Sequence, residues 1–274
     1  GAYGSSVITA LTAQNTRGVT GVHPVPAEFI AAQLETLLDD VRIDAVKIGM
    51  VASREVAEVI RAALTRRRPR WVVLDPVMVA KSGDILVDDA GIRAVREVLV
   101  PLADLVTPNL PEAAVLLDTP APTDRAGMLA MAPALRELGA GATLLKGGHL
   151  HGEACPDLLI TAEATTWVEG ARVDTANLHG TGCTLSSAIA ARLARGDALE
   201  AAVAAARPAS SPLASAVSAR WPSGPTPSPA TSTPSSTPVT GLSRPTMPTV
   251  PALRRSRPWN HATLASAVPM SVMK

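Results

Sequence analysis

Between Asn177 and Thr184 the chain reads Asn-Leu-His-Gly-Thr-Gly-Cys-Thr and runs directly into Leu185-Ser186-Ser187-Ala188-Ile189-Ala190. Gly180 and Gly182 permit a sharp turn and leave no Cβ between the backbone and a ligand. Leu185, Ile189 and Leu193 recur at helical spacing, with Gly196 just beyond, so the stretch predicts a turn that opens a helix. The first amides of a helix have no intrahelical acceptor and sit at the positive end of its dipole. That suits a phosphate, or the charge that develops during phosphoryl transfer. A Gly-x-Gly is more often an ordinary loop before a helix, so its meaning rests on the polar residues that the fold brings beside it.

Other residues offer matching chemistry. Cys183 stands at the start of that helix, where a thiolate is stabilised; a base, a hydrogen-bonding group and an inert buried thiol all fit there. Asn109-Leu110-Pro111-Glu112 has two readings. In one, Glu112 holds Mg²⁺ through water and Asn109 reaches a phosphate oxygen, since Mg²⁺ takes few protein ligands. In the other, Asn109 caps a helix with Glu112 as its capping-box partner, and spacing alone favours this. Lys146, ahead of Gly147-Gly148, suits a nucleotide phosphate, although a lysine at a strand end is commoner. Ala80-Lys81-Ser82-Gly83 lacks the spacing of a P-loop, and neither a Gly-x-Ser-x-Gly elbow nor zinc-ligand spacing is present. His23, His149, His151, His179 and His261 form no metal-ligand pattern.

The elements that must position these residues alternate. Strands are expected over 6–11, 45–50, 71–74, 104–107 and 142–146, with late, antiparallel strands over 157–161 and 171–174 flanking Trp167. Helices are expected over 26–41, 53–64, 88–99, 112–117 and 124–138, then after Gly182 and over 197–206. Phe29, Leu34, Leu37, Leu38 and Val41 supply the apolar stripe of the first helix, and Ser53 is a candidate N-cap for the second. Such alternation predicts an α/β fold with a mostly parallel sheet covered on both faces. Ligands of such sheets bind beyond the carboxyl ends of the strands, where Gln14, Met50, Asp75, Asn109 and Lys146 converge.

Composition narrows the field. A chain of 274 residues with a formal net charge of +1 has no strong field for nucleic acid or an anionic membrane, and 2% aromatic residues leaves little for base stacking. Cys155 and Cys183 form no Cys-x-x-Cys pair, and with no signal peptide or membrane-length apolar run a cytoplasmic setting is expected. From about Ala206 the character changes. Residues 208–248 are dense in Pro, Ser, Thr and Ala, and the reading is a domain over 1–206 followed by a disordered tail over 207–274; the alternative is a linker to a small final element over Thr263–Val268.

Six stretches together carry a family resemblance: Ser6–Thr16, Lys47–Met50, Leu74–Gly83, Thr107–Ala113, Leu145–His149 and His179–Thr184. In this order the chain resembles the hydroxymethylpyrimidine/phosphomethylpyrimidine kinases of thiamine biosynthesis, within the ribokinase superfamily. The resemblance spans Ser6 to about Ala206. It implies a ribokinase-like fold and phosphorylation of 4-amino-5-hydroxymethyl-2-methylpyrimidine and of its monophosphate by ATP with Mg²⁺. It implies that Gln14 hydrogen-bonds the aminopyrimidine, that Met50 and Val77 line its pocket, and that Asn109 and Glu112 form the magnesium–phosphate motif. Gly180, Thr181, Gly182 and Cys183 would be the anion hole and catalytic turn, with cysteine where most relatives carry an aspartate base. Asp75 and Lys146 would lie near the phosphates, and a homodimer is the implied assembly.

The chain also departs from that family. The family's first strand and its glycine-rich closing loop would precede Gly1, so a sheet lacking that strand is expected. After Arg207 the match stops, which suggests a reading-frame shift, and Leu178 replaces a small polar residue. The alternatives to the pyrimidine kinase are another vitamin kinase, such as a pyridoxal kinase, and a non-catalytic remnant.

Overall fold

The computed structural model describes residues 2–14, 19–78, 87–152, 154–172, 180–207 and 267–273. Asn15, Thr16, the 79–86 segment, Asn177 to His179 and residues 208–266 fall outside them, and with them part of three of the six motif stretches, Leu178 and most of the tail. Every described residue belongs to one compact unit.

Short apolar runs rich in valine, leucine and isoleucine make the heart of a nine-stranded sheet. These are β3 (Ala45–Ile48), β4 (Trp71–Leu74), β5 (Leu105–Val106) and β6 (Thr143–Leu145), parallel to one another in that order. All but Trp71 are buried, as strands covered on both faces must be. Beyond β6, β7 (Asp157–Ile160) and β8 (Thr165–Val168) continue the sheet antiparallel. At the other edge, β1 (Gly4–Gln14) pairs antiparallel with β2 (Val19–Pro24). The sheet is therefore mixed, with the expected parallel arrangement at its centre.

Helices cover both faces. On one side lie α1 (Ala27–Asp40), α2 (Arg54–Arg66) and α3 (Asp89–Ala94), packed on Val46, Ile48, Val72, Leu74 and Val106. On the other lie α7 (Thr181–Ala194) and α8 (residues 199–207), over Ala45, Val73, Leu105 and Leu144. Towards β7, α4 (Leu110–Leu117), α5 (Arg125–Ala130) and α6 (Ala132–Glu137) enclose a third cluster around Leu145, Leu158 and Ile160. Ser53 caps α2 as expected, its hydroxyl accepting from the Val56 amide at 3.3 Å.

Several expectations are corrected. The stripe of α1 centres on Ile30, Leu34 and Leu38, with Leu37 and Val41 packed beside them as expected, while Phe29 is 60% exposed; the buried set keeps the i, i+4, i+8 spacing from which Phe29 is rotated away. The single helix expected over 124–138 is two, because Pro133 at the start of α6 has no N–H to continue the ladder. The strand flanking Trp167 contains it. A tight turn, in which the Thr161 amide donates to the Ala164 carbonyl at 2.9 Å, starts β8 at Thr165; of the expected 171–174 strand, Ala171 makes an isolated bridge to Ala154, and Val173 and Asp174 lie outside the described residues.

Two parts of the 207–274 tail fall among the described residues. Arg207 is the last described residue of α8 and clamps Asp157, and Ala267–Met273 forms β9 between β1 and β3, antiparallel to both. This strand pairs with the edges of both β1 and β3. Two facing strand edges supply the partners that composition alone does not reveal. Pro269, which has no N–H, falls at the register shift between Ile8 and Ala10, where the ladder tolerates it.

Candidate active site

The site grows from the end of β4. Its ladder carries Asp75 past Leu74 with the Asp75 amide donating to Ile48 O at 2.9 Å, and Pro76 prevents the strand from continuing. Asp75 is 1% exposed, so its carboxylate must be satisfied inside the protein. Oδ1 accepts from Lys146 Nζ at 2.9 Å and from the Thr107 hydroxyl at 3.2 Å. Oδ2 accepts from the Ser186 hydroxyl at 3.1 Å and lies 3.8 Å from Lys47 Nζ. Burial alone would push this carboxyl up; the ammonium groups of Lys146 and Lys47 outweigh it and hold the group at about 2. Asp75 is thus an anchor beneath the rim that is ionised at neutral pH.

Lys146 and Asn109 meet because β6 and the strand end after β5 run in parallel and close with a bridge between the two residues. Asn109 is the N-cap of α4: its side chain accepts from the Glu112 amide at 2.8 Å, and Glu112 Oε2 accepts from the Asn109 amide at 2.7 Å. The capping box favoured by spacing is present. It also aims the Glu112 carboxylate at the site, since Oε2 is 3.9 Å from Lys146 Nζ. Glu112 is 3% exposed, and burial, with Asp75 adding to it, pushes the carboxyl up to about 7 against the opposing pull of Lys146. Burial opposes the charge on Lys146, but Asp75 and Glu112 more than compensate and leave it a stronger base than an ordinary lysine.

Above this cluster stands the amino end of α7. Gly180 is its N-cap at φ +80°, a left-handed conformation that costs glycine little. The first backbone bond of the helix runs from the Thr184 amide to Gly180 O at 2.9 Å, so the amides of Gly182 and Cys183 lie ahead of the ladder. A Cβ added at Gly182 would stand 3.2 Å from Lys146 Nζ, which places the ammonium directly against the turn. Ser186, fully buried, ties the turn to the cluster, its hydroxyl lying 3.1 Å from Gly182 O, Cys183 O and Asp75 Oδ2. Cys183 is exposed on the outer side and crowded by protein on the other. The lost hydration pushes its thiol up, Lys47 and Lys146 oppose this, and the negative charge of Asp75 adds to the upward push.

The apolar side of the rim is separate. Met50, 4% exposed, packs with Ala10 and Val87, and Val77 closes the same cluster. Thr9 joins β1 to this wall by donating to Met50 O at 3.3 Å. Gln14 is half-buried at the far end of β1, beside the bulge that follows Ala13, and its Oε1 accepts from the Thr12 hydroxyl at 3.3 Å.

The structure therefore gathers Asp75, Asn109, Glu112, Lys146 and Gly180 to Cys183 into one polar group, and Met50 with Val77 into an apolar one. Sequence reasoning missed Lys47, Thr107 and Ser186, which hold the polar group together. The legible signal for Lys47 was a lysine within an otherwise apolar four-residue strand, every member of which is buried.

Known proteins share this architecture and sequence. The family model described as phosphomethylpyrimidine kinase matches residues 1–226. The hydroxymethylpyrimidine/phosphomethylpyrimidine kinase of Escherichia coli (strain K12) is 50% identical over 191 residues, 70% of this chain and 72% of that protein. Among solved structures, phosphomethylpyrimidine kinase from Clostridium difficile 630 superposes with a TM-score of 0.66 at 36% identity, covering 78% of this chain and 86% of that one. Pyridoxal kinase from Bacillus subtilis, solved as an ADP complex, reaches 0.66 at 33% identity over 74% of this chain and 76% of that one. With half of the aligned residues identical and the motifs gathered on one rim, this chain belongs to the phosphomethylpyrimidine kinase family, ribokinase-like phosphotransferases of thiamine biosynthesis.

Proposed function

We propose that the chain transfers the γ-phosphoryl group of ATP to the hydroxymethyl oxygen of 4-amino-5-hydroxymethyl-2-methylpyrimidine, and then to the phosphate of the resulting monoester. The observation that carries this reading is Lys146 held at 2.9 Å by Asp75 and pressed against the Gly182 turn. A fixed cation and the amides of Gly182 and Cys183, which lie ahead of the helix ladder, thereby face the same space, the arrangement that stabilises charge on a transferring phosphoryl group.

In this reading Gln14 hydrogen-bonds the aminopyrimidine, and Met50 and Val77 form the wall of its pocket. The pyrimidine hydroxyl oxygen attacks phosphorus as the bond to the ADP oxygen breaks, and the amides of Gly180 to Cys183 receive the developing charge. Cys183 assists by accepting the hydroxyl proton or a hydrogen bond; with its thiol pushed up, the anion hole contributes more than the base. Asn109 and Lys146 hold ATP phosphates, and Asp75 acts on them through Lys146.

Mg²⁺ bound with ATP would neutralise charge on the phosphates. Its fit rests on Glu112, a buried carboxylate with one oxygen committed to the cap, and among the described residues no cluster of three acidic, histidine or cysteine side chains gathers for a metal. A single carboxylate acting through water matches the ion's habits. We further propose that residues 1–206, joined by Arg207 and β9, form the catalytic unit, that it works in the cytoplasm, and that a homodimer covers part of the exposed hairpin bearing Leu11 and Val22. Among the described residues no helix is long and apolar enough to cross a membrane.

The similarity to a pyridoxal kinase favours one second reading, phosphorylation of pyridoxal by the same site. The test is ATP-dependent turnover of the hydroxymethylpyrimidine, its monophosphate and pyridoxal by the wild type and by Gly182→Ala. Turnover of both pyrimidines is expected, with a loss in kcat of about 10² in the variant, whose amide is kept but whose added Cβ, 3.2 Å from Lys146 Nζ, displaces the ammonium from the turn. Preference for pyridoxal supports the second reading, and no turnover by a folded sample supports a non-catalytic remnant.

A further inference from the structure

A lysine buried in the central strand of a sheet demands a reason. Lys47 is 3% exposed, third of four buried residues in β3. Side chains alternate along a strand, so Lys47 shares its face with Ala45, which belongs to the cluster under α7 and α8. Burying an ammonium costs several kcal/mol unless a carboxylate compensates. Asp75 does so at 3.8 Å, a distance of ion pairing rather than hydrogen bonding. Lys146 already gives Asp75 an ammonium at 2.9 Å, with hydroxyls from Thr107 and Ser186. A second cation is more than this carboxylate needs for its own satisfaction.

We propose that Lys47 acts on phosphoryl transfer without touching substrate: its ammonium, beneath the amino end of α7, fixes Asp75 from below and supplies a second positive charge to Cys183. Two links carry the effect. The mechanical one runs from Lys47 to Asp75 Oδ2, then to the Ser186 hydroxyl, which lies 3.1 Å from Gly182 O and Cys183 O. The electrostatic one acts directly. Among the described residues, the charged groups that act on the Cys183 thiol are Lys47 from β3, Asp75 from the end of β4 and Lys146 from the end of β6, with Lys47 opposing the upward push of burial more strongly than Lys146; the geometry behind this is the tie from Lys47 through Asp75 and Ser186 to the Cys183 carbonyl. Glu112, from α4, faces Lys146. Lys47 is thus a positioning residue. Its kinetic consequence rests on the kinase reading above; its action on Cys183 does not.

The experiment uses the full chain with Lys47→Met and Lys47→Arg. The rate at which iodoacetamide alkylates Cys183 is followed across pH by peptide-resolved mass spectrometry, which separates it from Cys155. Lys47→Met is expected to move the alkylation curve upward by about one pH unit, a roughly tenfold slower reaction on its rising limb. Lys47→Arg, which keeps the charge, is expected to stay within about threefold of wild type. In steady-state assays kcat of Lys47→Met falls about tenfold while KM for ATP stays within about twofold, because uniform substrate binding is untouched. Superimposed alkylation curves in a folded Lys47→Met overturn the proposal, as does a rise in KM with kcat unchanged. A shifted curve without turnover in any variant supports it and counts against the kinase reading. Should Lys47→Met fail to fold by circular dichroism, Lys47→Gln carries the same outcomes. Failure of both assigns Lys47 to structure alone and sinks the idea.

Discussion

Two buried carboxylates on the same rim of the sheet, on strands separated by β5 and β6, behave in opposite ways. Asp75 follows β4 on the carboxyl rim; Asp157 opens β7 and is 4% exposed. Each loses nearly all its water, and in each burial is the largest influence on the carboxyl. At Asp75 two ammonium groups and two hydroxyls overcome burial and hold the group at about 2. Asp157 has one guanidinium, Arg207 Nε at 2.7 Å, and the Gly147 amide at 2.9 Å, and burial still wins, leaving its carboxyl above the usual range. The difference lies in where the cations spend their charge. Arg207 also donates to Val168 O at 3.1 Å and to Cys155 O, so it is a clamp closed on backbone. Lys146 faces Glu112 and the Gly182 turn, so its charge is directed at the space where a phosphate would sit.

Asp75→Asn breaks that contrast most severely. It leaves Lys47 and Lys146 buried beside a neutral amide, and removing one partner of a buried ion pair costs about 3–5 kcal/mol. The midpoint of urea unfolding at neutral pH should fall accordingly, and turnover should fall below detection as the turn loses its Ser186 tether. The pH profile adds a signature. A carboxyl lowered in the folded state contributes stability above its ordinary value of 3.8, and loses it as pH falls towards about 2. Wild type should therefore show an acid-induced loss in that window that Asp75→Asn lacks. Equal acid limbs in the two proteins would show that Asp75 is not the ionised anchor.

Glu112→Gln probes the same cluster with the opposite sign. Its carboxyl is raised from 4.5 to about 7, so the folded protein holds a proton that the unfolded chain releases, and ionising the group as pH rises through that window costs stability. A gap of that size amounts to about 3 kcal/mol at pH 8. Glutamine can still accept from the Asn109 amide, so the variant should be more stable than wild type at pH 8 by about 2 kcal/mol, with the advantage vanishing near pH 4. Phosphoryl transfer should slow in the same variant. A stability difference that is flat with pH would contradict the assignment.

How much of this was legible follows the same division. The parallel heart was readable because Ala45–Ile48, Trp71–Leu74 and Thr143–Leu145 are short apolar runs ending in polar residues, and the rim position of Asp75, Asn109 and Lys146 followed from those ends. The glycine turn and the Asn109–Glu112 cap were readable because both are local. Lys47, Thr107 and Ser186 were not, since each acts through a contact set by strand pairing or by α7 crossing the sheet. Ser186 reaches Asp75 across 111 positions of sequence. β9 escaped for a related reason. Its strand character comes from the unpaired edges of β1 and β3 rather than from its own composition. Phe29 shows the converse, an apolar residue whose helical phase places it in solvent.

Asp157→Asn is the smallest test and the sharpest, because it repeats at the clamp the substitution made at the anchor. Asparagine keeps an oxygen for the Gly147 amide, so Lys146, one residue earlier, should hold its place. Arg207 keeps its acceptors on Val168 and Cys155, and its side chain is 16% exposed, so water can share the charge left behind. The lost ionic hydrogen bond is partly offset, because burial already disfavours the charge on Asp157. The expected cost is about 1 kcal/mol in urea unfolding, with kcat and KM for ATP unchanged. If that loss matched the Asp75→Asn loss, the two carboxylates would be equivalent structural pairs, and the second cation on Asp75 would need no functional explanation.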